Sequence, residues 1–258
     1  MFGFGKNWRS FSKNALTAER VSQARRDFYK LFNPQELIGR SFLDVGFGQG
    51  LSLMLAAECG AQAKGVDIDP YNLEAIEITR RFFPNVPVPT VEIGSILDPM
   101  IVDKLSSGGG YDIVHSWGVL HHTGQMWAAL RNCATLVKVG GLLAVSVYNK
   151  HWSSPYWRQI KRLYNSSPGF IQRGLVWSFY PVILVAKTVV TGSNPFKKER
   201  GMDFYYDLID WVGGYPYEYA YPSEVVRFVE QLGFTTVRSY PASVPTGCNE
   251  FVFSKMSA

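Results

Sequence analysis

A glycine-rich turn between an apolar run and a helical pattern constrains the fold of this chain most strongly. The turn reads Asp44-Val45-Gly46-Phe47-Gly48-Gln49-Gly50, with Ser41-Phe42-Leu43 before it and periodic apolar residues from Leu51 after it. Glycine permits left-handed backbone conformations and lets a ligand approach the main chain closely. A strand, a glycine turn and a helix in this order form the first unit of open α/β sheets that bind nucleotides. The pattern therefore predicts an α/β fold with a ligand at the turn.

The position of Asp44, two residues before the first glycine, narrows the choice of ligand. A carboxylate there repels the pyrophosphate that a dinucleotide-binding turn is built to hold. It attracts a cofactor that carries an ammonium group. S-adenosylmethionine (SAM) has adenosine at one end and an amino acid at the other, so Asp44 and the G-x-G-x-G spacing favour SAM over NAD. We expect Asp44, Gly46, Gly48 and Gly50 to contact the cofactor.

Strand and helix patterns alternate after the turn, which predicts a parallel sheet with helices on both faces. The chain is long enough for one domain, residues 1–258, with an N-terminal helical segment over 1–38. A helix predicted over Gln125–Lys138 is expected to stop at Gly140-Gly141. The last two strands are joined by a short loop and should be antiparallel. The predicted strands are Ser41–Val45, Gln62–Asp67, Pro89–Gly94, Tyr111–Ser116, Leu142–Tyr148, Phe234–Tyr240 and Asn249–Ser254.

The alternation breaks after the fifth strand, and residues 150–221 are too long for a bare loop. Helices are predicted there near Pro155–Asn165, Phe170–Val190 and Met202–Val212. The stretch Leu175–Ala186 is almost entirely apolar but contains a proline, and a membrane span needs about 20 apolar residues. It is either a helix that covers the active site or a surface that contacts a membrane or a lipid-like substrate. We do not expect it to span a bilayer.

Three further motifs follow the turn at the ends of later strands. Asp67 ends the second strand about 20 residues on, where a carboxylate accepts hydrogen bonds from a ribose diol, and Ile68 can pack on adenine. The segment Gly94–Asp98 follows the third strand, and Tyr111–His122 contains the fourth strand and the loop after it.

These motifs together resemble class I SAM-dependent methyltransferases, over about residues 36–150 and the final helix and strand pair. FLDVGFGQG and GVDID look like that family's first two motifs, and YDIVHSWGVLHHT looks like the strand-four segment of its small-molecule and quinone branch. The resemblance implies a Rossmann-like, doubly wound sheet of seven strands in order 3-2-1-4-5-7-6, with strand 7 antiparallel. It also implies SAM at the carboxyl ends of strands one to four, with contacts from Ser95, Ile96, Ser116 and Trp117. Ser95 stands where an Asp often binds the adenine amino group, and a hydroxyl can also accept that hydrogen bond.

Candidates for catalysis and acceptor binding come from the loop after strand four and from the insertion. His122 is either a general base or a residue that packs the loop, and Asp210 is a second candidate base. The segment Asp203–Tyr221 is rich in aromatic and acidic residues, which suits an amine, a phenol or a cationic acceptor. Its alternative role is a docking surface that holds the insertion down. The predicted acceptor contacts are Tyr206, Asp207, Trp211, Tyr215, Tyr217 and Glu218.

Charge and cysteine content set the remaining expectations. The net charge is +5, in basic clusters that we interpret mainly as solvated faces, with an anionic membrane or RNA as alternatives. The 3 cysteines form no metal-binding pattern, and their number fits a cytoplasmic protein, at a membrane surface or free of it. The leading hypothesis is SAM-dependent methylation of O or N in a small or medium organic molecule, with nucleic acid disfavoured. The alternatives are a membrane-surface methyltransferase of a prenylated quinone or lipid and a SAM-binding regulatory protein without turnover.

Overall fold

A sheet of seven strands in the order β3-β2-β1-β4-β5-β7-β6 forms the centre of the molecule. The computed structural model describes residues 2–191 and 203–257. Strand β7 is antiparallel to both of its neighbours, whereas β1 to β5 are parallel to one another. The predicted fold class and strand order are therefore confirmed. The strands are β1 Ser41–Val45, β2 Gln62–Asp67, β3 Thr90–Ile93, β4 Tyr111–Ser116, β5 Val137–Tyr148, β6 Phe234–Tyr240 and β7 Cys248–Lys255.

Helices cover both faces of this sheet and build the region after β5. In chain order they are α1 Phe4–Asn14, α2 Ala18–Leu31, α3 Leu51–Glu58, α4 Tyr71–Arg80, α5 Pro99–Ser106, α6 Met126–Thr135, α7 Ser154–Ser166, α8 Gly169–Thr191, α9 Phe204–Gly213 and α10 Pro222–Glu230. Short 3-10 turns lie at Pro34–Glu36 and Leu120–His122. Buried apolar side chains form one cluster on each face of the sheet.

The central strand β1 brings the candidate site residues together. It pairs with β2 on one side and with β4 on the other, which places Asp44 beside Gly65 and His115. Because these strands are parallel, their carboxyl ends and the loops that follow them meet at one edge of the sheet. The glycine turn, Asp67 and the loop after β4 therefore lie around one site.

One local prediction was wrong. The helix predicted to run to Lys138 ends at Thr135, because β5 already begins at Val137. Gly140, with φ +75°, does not end a helix but lies in an irregular part of β5, where the pairing with β4 shifts register. The segment over residues 1–38, predicted to be helical, contains α2 and, before it, α1. Phe4, Trp8 and Phe11 in α1 recur at helical spacing, which was the signal for it.

The region after β5 has its own small core. Val176 and Ile183 of α8 are buried in one cluster with Phe204, Leu208 and Val212 of α9. The predicted start of the third insertion helix, Met202, lies outside the described residues, and α9 begins at Phe204. Within the described part of the chain, α8 alone is long and apolar enough to cross a membrane, and 11% of its 18-residue window Gly169–Ala186 is buried.

Candidate active site

A cavity of about 460 Å³ lies at the carboxyl edge of the sheet. The glycine turn and the loops after β2, β3 and β4 form one part of its wall, and residues of α1, α2, α3, β5, α9 and β7 complete it. Most of the site residues predicted from the sequence line this cavity. They are Asp44, Gly46, Gly48, Asp67, Ile68, Ser95, Ile96, Trp117, His122, Asp207 and Asp210.

The glycines of the turn have different structural roles. Gly46 has φ +76°, and a Cβ there would lie 2.4 Å from the side chain of Val119, so the loop after β4 can approach the turn only over a glycine. Gly50 has φ +77° and is the N-cap residue before α3, and a Cβ there would lie 2.4 Å from Ile76 of α4. Gly50 is not among the cavity-lining residues, so it serves helix packing.

Asp67 ties the glycine turn to the loop after β2. Its Oδ2 accepts the amide N–H of Gly48 at 2.9 Å, and its Oδ1 accepts that of Asp69 at 2.9 Å. Burial raises the pKa of the Asp67 carboxyl, and these backbone hydrogen bonds oppose that effect. Each carboxylate oxygen has a second lone pair, so Asp67 can still accept hydrogen bonds from a diol. Ile68 beside it is 58% exposed and offers an apolar surface to a ring.

A buried pair between Asp44 and His115 lies beneath the turn. The carboxylate Oδ1 of Asp44 accepts a hydrogen bond from Nδ1 of His115 at 2.7 Å, and both side chains are buried. The other ring nitrogen of His115, Nε2, is buried and has no hydrogen-bond partner among the residues that the structure describes. Trp117 stacks parallel to His115, with ring centroids 5.7 Å apart. Sequence reasoning missed His115, although its place on β4 opposite Asp44 follows from pairing the two strands.

The remaining predicted cofactor residues are divided between the cavity and the core. The hydroxyl of Ser95 accepts the amide N–H of Leu97 at 3.1 Å at the cavity wall, and Ile96 is buried beside it. Ser116 is fully buried and donates to the carbonyl of Val45 at 2.9 Å. It is not among the residues that line the cavity, so its observed contact is with β1.

His122 is held in one orientation and one tautomer. Its Nδ1 donates to the carbonyl of Pro216 at 2.6 Å, so the neutral ring carries an unprotonated Nε2. Burial lowers the pKa of His122 to about 3, and the nearby charge of Lys161 adds to this effect. Burial, together with His122 and Lys161, also holds the pKa of His121 well below its usual range. The cavity therefore has two neutral imidazoles in its wall.

The helix α1 covers the cavity, which the sequence did not predict. Phe2, Phe4 and Trp8 line it, and a Cβ at Gly48 would lie 3.2 Å from Nε1 of Trp8. The ring of Phe4 lies 4.7 Å from that of His122.

Two hydrogen bonds anchor α1 on opposite sides of the cavity. The amide N–H of Gly5 donates to Oδ2 of Asp69 at 2.9 Å, and the side-chain amide of Asn7 donates to Oδ1 of Asp210 at 2.7 Å. Asp69 also accepts the N–H of Tyr71, the first residue of α4, at 3.0 Å.

Most of the predicted acceptor residues of the insertion contact other parts of the protein. Tyr206 bonds to Ser10 of α1 at 3.1 Å, and Tyr215 accepts the N–H of Phe2 through its carbonyl. The carboxylate of Glu218 accepts the N–H of Met126 at the start of α6 at 3.0 Å, and burial raises the pKa of Glu218. Tyr206, Trp211, Tyr215, Tyr217 and Glu218 are absent from the cavity wall. These contacts fit the alternative role, in which the segment docks the insertion.

Behind the cavity, Lys161 of α7 is buried among aromatic rings. Its ammonium donates to the carbonyl of Trp211 and lies 4.8 Å from the ring centre of Tyr217 and 5.8 Å from that of Tyr148. Burial lowers the pKa of Lys161 to about 7, against the opposing charge of Asp210. Burial also raises the pKa of Tyr217 to about 12. In the described ranges, no group of three or more His, Cys, Asp or Glu side chains could hold a metal ion.

Comparison with known proteins agrees with this geometry. Residues 17–181 match a protein family described as a methyltransferase domain. Among curated proteins, the chain is 31% identical over 121 residues to the ubiquinone biosynthesis O-methyltransferase of Bradyrhizobium sp. (strain ORS 278), covering 46% of this chain and 44% of that protein. It is 33% identical over 119 residues to the protein of the same name from Xanthomonas euvesicatoria pv. vesicatoria (strain 85-10), covering 45% and 46%. The chain thus spans less than half the length of these relatives.

Solved structures share the fold over nearly the whole chain. Magnesium protoporphyrin IX methyltransferase from Synechocystis PCC 6803 with bound SAH aligns with a TM-score of 0.60 and 16% identity, covering 97% of this chain and 93% of that one. PKMT2 from Rickettsia typhi aligns with a TM-score of 0.59 and 17% identity, covering 93% and 54%. At these identities the likeness concerns the fold.

Proposed function

This chain belongs to the methyltransferase-domain family, and from that membership we propose that it transfers the methyl group of SAM to a hydroxyl oxygen of a small or medium organic acceptor. One observation carries the proposal: a single cavity joins the glycine turn and Asp67 to the neutral, oriented imidazole of His122. The relatives and structural neighbours named as methyltransferases support it.

The residues around the turn fit SAM. Asp44 and Nε2 of His115, which has no partner within the described residues, are acceptors suited to the ammonium group of the cofactor. Asp67 suits the ribose diol, and Ile68, Ser95 and Ile96 surround the position expected for adenine. The bound cofactor supplies an electrophilic methyl group, so the protein has mainly to align the acceptor and exclude water. A cavity covered by α1 suits that task.

The other half of the cavity suits an acceptor with an apolar ring and a hydroxyl. Phe2 and Phe4 offer aromatic surface, while Nε2 of His122 is the free acceptor of a neutral imidazole. This imidazole takes the proton from the hydroxyl as the oxygen is methylated and, because its pKa is about 3, gives that proton on to water; positioned bases contribute about 10²- to 10⁴-fold to rates. Asp207 and Asp210 lie at the same wall. The names of the curated relatives, which are O-methyltransferases in ubiquinone biosynthesis, support an oxygen acceptor.

Release of S-adenosylhomocysteine from radiolabelled SAM tests this proposal. The purified chain is incubated with panels of phenols and catechols, aliphatic amines, and carboxylic acids. Release with hydroxylated aromatic compounds is the expected result. Release only with amines would contradict the oxygen acceptor, and SAM binding without turnover across the panels would favour the regulatory alternative. Failure to bind SAM in calorimetry would overturn the cofactor assignment itself.

A further inference from the structure

We propose that the outer face of α7 and α8 docks on an anionic lipid bilayer and that the acceptor reaches the cavity from that bilayer. The docking surface, here called the α7–α8 face, includes one residue just before α7 and eight on the two helices: Trp152, Tyr156, Leu163, Phe170, Ile171, Trp177, Val182, Val185 and Val189. The delivery of an acceptor rests on the proposed methyltransferase function, whereas the docking itself does not.

Exposed apolar side chains are concentrated on this face. Of the 21 large hydrophobic residues that are exposed in the described part of the chain, 9 belong to the α7–α8 face. Trp177 is 63% exposed and Val189 is 76% exposed. Single exposed apolar residues are normal on protein surfaces, but a contiguous set on one region marks a contact site. Within residues 2–191 and 203–257, no other element covers this side of α7 and α8.

The exposed residues of α8 share one side of the helix. At about 100° per residue, the positions from Phe170 to Val189 fall within a sector of roughly 140°. The opposite side carries Val176 and Ile183, which are buried against α9. The helix is therefore apolar on both sides, with one side used by the protein and the other exposed.

The positive charge around this face favours an anionic lipid surface as its binding partner. Residues 149–191 contain 6 lysines and arginines and no aspartate or glutamate, and one of the 6, Lys161, is buried behind the cavity. Arg158, Arg162 and Arg173 are exposed beside the apolar residues. An interfacial helix with basic flanks and Trp, Phe or Leu on its apolar face binds the boundary between headgroups and acyl chains. Each basic residue near an anionic surface adds about 1 kcal/mol to binding.

A second copy of the chain is a poorer occupant. A symmetric dimer would bring the same face of both subunits together. The arginines of one subunit would then meet those of the other without acidic partners from residues 149–191. Anionic lipid headgroups supply the opposite charge that a second copy lacks.

The contacts of α8 indicate docking along the surface and not insertion across the bilayer. To span the membrane, α8 would have to leave α9 and expose Phe204, Leu208 and Val212. Lying along the interface leaves that cluster intact and places the exposed tryptophans at headgroup depth, where amphipathic rings are favoured.

One helix separates the α7–α8 face from the cavity. Leu208 and Val212 of α9 pack in the cluster with α8, while Asp207 and Asp210 of the same helix line the cavity. Packed helix axes lie about 8–10 Å apart. A bilayer on the outer face of α8 therefore lies two packed helices, roughly 20 Å, from the acceptor half of the cavity.

Flotation with lipid vesicles tests the docking. The full chain is mixed with vesicles of phosphatidylcholine alone or with about 30 mol% phosphatidylglycerol, at low and at high salt. We expect binding to the anionic vesicles, weakened by salt, and little to the neutral ones. The double variant Trp177→Glu with Val185→Glu should bind anionic vesicles at least about tenfold more weakly. The matched control Met100→Glu with Val139→Glu adds the same charge at sites that are 76% and 66% exposed elsewhere, and should bind like the wild type.

Several results would overturn the docking surface. Equal losses in both double variants would show a general effect of negative charge. Equal binding to neutral and anionic vesicles would contradict a contribution from the basic residues. Light scattering that shows a dimer broken by Trp177→Glu with Val185→Glu, without vesicle binding by the wild type, would assign the face to a second copy. Recovery only in detergent after high-salt and carbonate washes would show a spanning helix.

Calorimetry with SAM on the same variants separates this inference from the proposed function. The α7–α8 variants should keep wild-type SAM affinity, because the mutated residues do not line the cavity. Vesicle binding without any methyl transfer would leave docking intact and refute the function. Methyl transfer without vesicle binding would leave the function intact and refute the docking.

Discussion

Replacing Gly5 by alanine should lift the N-terminal helix from the cofactor half of the cavity. A Cβ at this position would lie 2.2 Å from Cγ of Asp69 and within 2.5 Å of both carboxylate oxygens. Ordinary contacts of a Cβ are about 3.5–4.0 Å long, so either α1 or Asp69 must move by about 1.5 Å. The movement breaks the bond from the Gly5 amide to Asp69, which is 2.9 Å long in the native structure.

The size of the effect follows from the lost hydrogen bond. A hydrogen bond to a charged group contributes about 1.5–3 kcal/mol, which corresponds to roughly 10- to 150-fold in the equilibrium between the closed and lifted positions of α1. Because Trp8 of the same helix lies over Gly48, SAM should dissociate faster by about that factor. Gly3→Ala is a matched control, since its Cβ would lie 3.7 Å from the nearest atom of Lys6.

The dissociation rate of SAM measures this directly. Labelled SAM is bound to each variant and chased with excess S-adenosylhomocysteine, and the remaining complex is followed by rapid filtration. Circular dichroism and thermal unfolding confirm that each variant is folded. If SAM leaves Gly5→Ala at the wild-type rate, α1 does not retain the cofactor, and the proposed covering role of this helix is wrong.

Three further predictions concern the interior of the site. Asp67→Ala should weaken SAM binding in calorimetry by about 10- to 150-fold, and unchanged affinity would remove Asp67 from the cofactor site. His122→Asn keeps a donor for the Pro216 carbonyl but removes Nε2, so kcat should fall about 10²- to 10⁴-fold with little change in SAM affinity. Because the pKa of His122 is lowered to about 3, the pH profile of wild-type kcat should show no ionisation near pH 6.5, the usual pKa of histidine. An ionisation at that pH that is present in the wild type and absent in His122→Asn would contradict the lowered pKa. The pKa of Lys161 falls from 10.5 to about 7 on folding, so the unfolded chain binds more protons between these values. The wild type should therefore gain about 2 kcal/mol of stability over Lys161→Met between about pH 7.5 and 9.5 in urea titrations, and a constant difference would refute the shift.

Local patterns predicted the sheet well. The bounds of β1, β2, β4 and β6 agree with the sequence prediction. The strand order came from the resemblance to a known family, since strand patterns do not specify their neighbours. Gly140 shows the limit of such signals, because a glycine with positive φ can end a helix or interrupt a strand.

The site was only partly predictable for a different reason. Asp44 and Asp67 follow directly from the motifs at the strand ends. The bonds of Gly5 to Asp69 and of Asn7 to Asp210 join residues 64 and 203 positions apart, and no local pattern reveals them.

The composition of the insertion could not divide its residues between roles. Its aromatic and acidic residues were compatible both with an acceptor site and with a docking surface that holds the insertion down. Neighbours on one helix, Tyr206 and Asp207, face α1 and the cavity respectively. Composition could not show this division, because it depends on how α9 is rotated against its partners.

The N-terminal helix contacts both halves of the cavity, through Gly5 at the cofactor loops and Asn7 at Asp210. Because α1 is short and moves as one body, closing over one half of the cavity also brings its side chains against the other half. The binding free energies of the two ligands should therefore be coupled, and reciprocity requires each to change the affinity of the other by the same factor. We expect an ordered kinetic mechanism, in which the cofactor enters before α1 closes and its demethylated product is the last to leave.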